Sequence, residues 1–122
     1  MKTGRIEICG KSYLLCLSTR VMMTLQDKGG DASEELTRIL ESNDMKDIFW
    51  LIEQMMDAGA RYADLEDIEN PKPLKYDQLI DLTSPLEYEQ VFGALTESIT
   101  NSTQPTVEAE PSEKNAETTQ DE

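Results

Sequence analysis

Between Met45 and Ala60 the chain repeats apolar side chains at helical spacing: Met45, Ile48, Phe49, Ile52, Met55, Met56 and Ala60. That recurrence specifies a helix with one apolar face, and Asn43 or Asp44 supplies an N-cap, so a helix is predicted over about 44–62. Leu51 and Trp50 widen the stripe beyond what one packing neighbour would cover. Such a helix must either sit at the centre of a fold or keep part of its surface for another protein.

The flanking sequence supplies the rest of a small domain. Ile6 and Ile8 alternate with Glu7, Gly10-Lys11 offers a turn, and Tyr13, Leu15 and Leu17 alternate again. This period of two on both sides of a glycine predicts a β-hairpin over 5–17. A lone hairpin is marginal in water, so its apolar face needs cover, and Tyr13 is expected to pack it on the first helices. Ser18 or Thr19 caps a helix over about 19–28, carrying Val21, Met22 and Leu25, and Gly29-Gly30 stops it. Asp31 or Ser33 starts the next, about 33–42, with Leu36, Ile39 and Leu40 on its apolar side. Pro71-Lys-Pro73 marks a connection, and Tyr76, Leu79, Ile80 and Leu82 suggest a short helix over 75–82. Ser84-Pro85-Leu86-Glu87 reads as a capping box with proline at the first helical position; it opens a helix over 85–99 in which Phe92 and Leu95 serve internal packing.

The expected class is therefore α+β: residues 1–100 form an N-terminal β-hairpin and a small four- to five-helix domain. From Asn101 onward Val107 is the only large apolar residue, and six acids stand against Lys114 alone. Such a segment cannot bury enough surface to offset the entropy of ordering it, so 101–122 is expected to be a disordered acidic tail.

Composition excludes more than it selects. The formal net charge is -14 with no histidine. Dispersed bases among more numerous acids make no basic stripe, which argues against binding nucleic acid. No run of 18 apolar residues or signal-peptide core is present, so neither a membrane partner nor export is expected and the chain reads as cytoplasmic. Cys9 and Cys16 are read as free thiols, too few for a structural zinc site without histidine. Ser12, Ser18 and both thiols lack a histidine base, so no catalytic residue is assigned. Asp64, Glu66, Asp67 and Glu69 lack the spacing and glycine turn of a calcium loop and read as a solvated helix end; Asp77 and Asp81 make no dimetal site. Gly29-Gly30 lacks the phosphate-binding context. The expectation is a non-enzymatic binding protein with neither cofactor nor metal. An acidic inhibitor that mimics DNA in the basic groove of a nucleic-acid-binding protein is the alternative.

The pattern Ile6-Glu-Ile-Cys-Gly10-Lys11-Ser-Tyr13-Leu-Leu-Cys-Leu17-Ser18, followed by a helix with Val21 and Leu25 and then Gly29-Gly30, resembles the start of tail assembly chaperones of long-tailed bacteriophages. The helix around Leu36–Leu40 and the apolar helix around Ile48–Met56 continue the likeness, which covers roughly residues 4–63 and extends to 74–99 by general helical character. The resemblance implies a chaperone that binds the hydrophobic, helical tape measure protein, keeps it soluble in the host cytoplasm and helps recruit tail tube protein subunits. It also implies absence from the finished virion and, if a longer frameshifted product exists, that this chain is the short one. Helix-in-groove binding would then use adaptable side chains, for which Met22, Met23, Met45, Phe49, Trp50, Met55 and Met56 are the candidates, with Trp50 as the apolar anchor. The competing reading places the methionines in the core. An uncovered hairpin edge would also invite a second copy of the chain.

Overall fold

The computed structural model describes residues 3–103. Strands β1 (Gly4–Ile8) and β2 (Lys11–Leu15) form an antiparallel hairpin. Helices α1 (Thr19–Gly29), α2 (Ala32–Ser42), α3 (Met45–Glu66), α4 (Tyr76–Leu82) and α5 (Tyr88–Thr103) follow, with a single 3-10 turn at Pro85–Glu87 before α5. The class is α+β, a two-stranded hairpin followed by five helices.

Local chemistry sets most boundaries. Ser18, Asp31 and Asp44 cap α1, α2 and α3, their side chains accepting from the amides of Val21, Glu34 and Lys46 at 3.4, 2.9 and 2.8 Å. Gly30 ends α1 at φ 89°, while Asn43 and Asp67 end α2 and α3 in the left-handed region. The Glu87 carboxylate accepts the Ser84 N–H at 2.9 Å, as a capping box requires, but the chain takes one 3-10 turn there before α5 begins.

The expected boundaries need three corrections. The hairpin turn is Cys9-Gly10, not Gly10-Lys11, because Ile8 pairs with Lys11 and both turn residues have positive φ, 53° and 78°. A two-residue turn of that hand matches the strand twist, and Gly10 fills its second position. Helix α3 runs to Glu66, past residue 62. Helix α5 runs through Asn101 to Thr103, so the start of the expected tail is helical; Ile99 is buried just before it. The rest of the expected acidic tail, 104–122, lies outside the described residues.

The hairpin rests mainly on the third and fifth helices, not the first two: β1 packs along α5 and β2 along α3. Helices α1 and α2 pair with each other and reach α3 from another side, and α4 takes a further one. Four neighbours explain why the apolar stripe of α3 is so wide: Ile48, Leu51, Ile52, Met55 and Met56 all lie wholly inside. Each such side chain contributes roughly 1.5–3 kcal/mol by leaving water. Gly59 permits the approach of β2, since a Cβ there would run into the Leu14 carbonyl.

The two hairpin edges are treated differently. On β2 the Leu14 N–H donates to Asn70 Oδ1 at 3.0 Å, and just beyond the strand the Cys16 N–H donates to the Met55 carbonyl at 3.1 Å. Cys16 is buried at the far end of β2 from the exposed Cys9, and both thiols are free.

Candidate functional site

An apolar groove opens where the start of α3, the outer face of α4 and the 3-10 turn meet. Asp44 starts α3 so that Met45 stands on its first turn, 52% exposed, with Phe49 one turn further in. Helix α4 is held from below by Leu79, which is fully buried, and at its start by the Tyr76 N–H donating to the Glu53 carboxylate at 3.2 Å. Anchored by Leu79, the seven-residue helix turns Ile80 outward into the groove. Pro85 and Tyr88 close the far wall, giving a groove of about 390 Å³ lined chiefly by Met45, Phe49, Tyr76, Ile80, Pro85 and Tyr88.

The rings set its floor. Phe49 and Tyr88 lie 6.0 Å apart at 51°, and Tyr88 and Phe92 lie 6.3 Å apart, within the range in which aromatic pairs attract. The Tyr88 hydroxyl donates to Asn43 Oδ1 at 2.6 Å, tying α5 to the end of α2. Burial, with Asp44 nearby, raises the Tyr88 phenol above its ordinary value, so it stays neutral across the physiological range. Two exposed apolar side chains, Met45 and Ile80, line this groove. Scattered exposed leucines are ordinary, but two large apolar residues from different helices opening one groove form a patch with binding potential. The charged side chain in the groove's lining is that of Lys46.

The candidates read from the sequence separate clearly. Met55 and Met56 are entirely buried, and the Sδ of Met56 accepts the Leu74 N–H at 3.2 Å. Partner contact is withdrawn for these two, because α3 is covered on that side by β2 and the 68–75 connection. Phe49 is 6% exposed and meets the surface only as groove floor. Trp50 is half-buried with Lys28 Nζ 4.8 Å over its ring, a cation–π contact rather than a bare anchor. Met22 is half-buried and Met23 exposed, both on α1 and outside the groove lining. Of the methionines, Met45 carries the site. Ile80, Pro85 and Tyr88 were missed, although Ile80 beside the core residue Leu79 on a short helix was a readable sign of a second apolar face.

Among the described residues, no three His, Cys, Asp or Glu side chains are grouped as metal ligands. No helix among them is long and apolar enough to cross a membrane. Burial pushes the Cys16 thiol up to about 11, which leaves it protonated and unreactive in the folded chain. Scanned against protein-family models, the chain matches none, and no curated protein or solved structure matches it either.

Proposed function

We propose that this chain is a non-enzymatic tail assembly chaperone of a long-tailed phage or prophage, acting in the host cytoplasm. Its client is the tape measure protein, which it keeps soluble while tail tube subunits are recruited. The observation that carries the reading is the groove of Met45, Phe49, Ile80 and Tyr88, with Met45 and Ile80 exposed in it. A client helix laying one apolar face into such a groove uses residues at i, i+3, i+4 and i+7, and the flexible Met45 tolerates variation among them.

The test is co-expression of a tape measure fragment with the double variant Met45→Ser/Ile80→Ser. Losing about 1.5 kcal/mol at each side chain weakens binding roughly 100-fold, and the fragment should pass to the insoluble fraction. Both residues are exposed, so the circular dichroism and melting of the variant should match the parent. Undiminished solubilisation by the variant would refute the groove as the client site.

A further inference from the structure

One edge of the hairpin is tied to the domain at Leu14 and the other is open. Because Leu14 directs its N–H away from β1 to Asn70, its pair partner Arg5 directs its own N–H and C=O away from β2, and so, two residues on, does Glu7. Among the described residues these outward backbone groups of Arg5 and Glu7 take no hydrogen-bond partner. Unpaired strand groups are a template for another strand. Beneath this edge lies a second groove of about 310 Å³, walled by Glu7 and Cys9 and floored by Glu87, Gln90, Val91 and Ala94 of the 3-10 turn and α5.

We propose that the outer edge of β1, with the first half of α5 as its floor, takes an extended segment of a partner protein as a third strand, one that alternates small apolar and basic residues. This site is independent of the chaperone reading. Its apolar side chains would rest on Val91 and Ala94, while the basic ones, on the opposite face of the strand, meet Glu7; Glu7 and Glu87 are the exposed carboxylates of the lining, which contains no cation. Two occupants of other kinds are disfavoured. Residues 104–122 carry six acids and one lysine, and the same carboxylates repel them. A second copy paired β1 to β1 would set the strands about 4.8 Å apart. Helix α5 lies against β1 from Gly4, which abuts Ser98, to the turn, so its twin would fall well inside the roughly 8–10 Å that packed helices need.

The probe is a terminally blocked hexapeptide alternating valine and lysine, added to the full chain. Two further versions carry N-methyl groups on the valine amides only or on the lysine amides only. In an added strand alternate amides face β1, so one methylated version should bind at least tenfold more weakly and the other within about twofold of the parent peptide. Amide exchange followed by NMR should slow at Arg5 and Glu7 and not change at Leu14. Glu7→Pro removes an outward donor without touching the hairpin ladder and should also abolish binding. Should that variant misfold, the methylated peptides still decide. Equal binding by both methylated forms, or no protection at Arg5 and Glu7, would overturn the proposal. So would dimerisation of the full chain that Glu7→Pro abolishes, since β1 would then serve a second copy.

Discussion

The start and the middle of α3 carry apolar residues of the same kind and use them in opposite ways. In the middle, Met55 and Met56 are buried under β2 and the 68–75 connection. In the first turn, Met45 is half in water and Phe49 lies under an open groove. Identity does not separate these residues; the number of neighbouring elements does. A helix surrounded by a hairpin and three other helices spends its densest apolar stretch on the core, and a surface site survives only where the packing runs out.

Substitutions at the two places should differ in cost. Met55→Ala should remove about 2–5 kcal/mol of unfolding free energy, while Met45→Ala should cost under about 1 kcal/mol; urea titration measures both. Similar losses at the two positions would mean the start and the middle of α3 are not different after all. Gly59→Ala should cost about 1–3 kcal/mol, because the new methyl meets the Leu14 backbone, which cannot rotate aside as a side chain would. Lys28→Ala, which uncovers Trp50, should cost only about 0.5–1 kcal/mol and shift the tryptophan emission to the red. An unshifted emission would mean the ammonium does not shield the ring.

Acid should act at α2. The Arg38 hydrogen bond to Glu35, followed by its charge and that of Lys28, holds the Glu35 carboxyl below its usual range against the opposing effect of desolvation. A depressed folded value means the contribution is complete above the unfolded value near 4.5 and is lost as pH falls through the lower, folded one. The melting temperature should therefore drop below about pH 4.5, and Glu35→Gln should flatten that drop. A variant with the same acid dependence as the parent would show that other carboxylates govern it.

How far the sequence reached follows the same division. Helix starts were legible because Ser18, Asp31 and Asp44 act within three residues of themselves. The hairpin was legible from its alternation, but its turn was placed one residue late, since nothing local told that Gly10 was the second turn residue and that Cys9 would accept a positive φ. The apolar stripe of α3 was read correctly as a helix; its density suggested a client face, and the fold spends most of it on the core. The groove was hidden because it joins Met45 to Ile80, Pro85 and Tyr88 across the packing of α4 on α3. Which methionine faces outward is a property of that packing and not of the local pattern.

The most direct test uses the methionines as reporters. With their methyl groups carbon-13 labelled, the full chain is titrated with a soluble helical fragment of a tape measure protein and followed by methyl NMR. The Met45 resonance should shift and saturate, with Met55 and Met56 unmoved in the core and Met23 unmoved on α1. A saturating shift at Met22 and Met23 with Met45 silent would contradict the account and move the client site to α1.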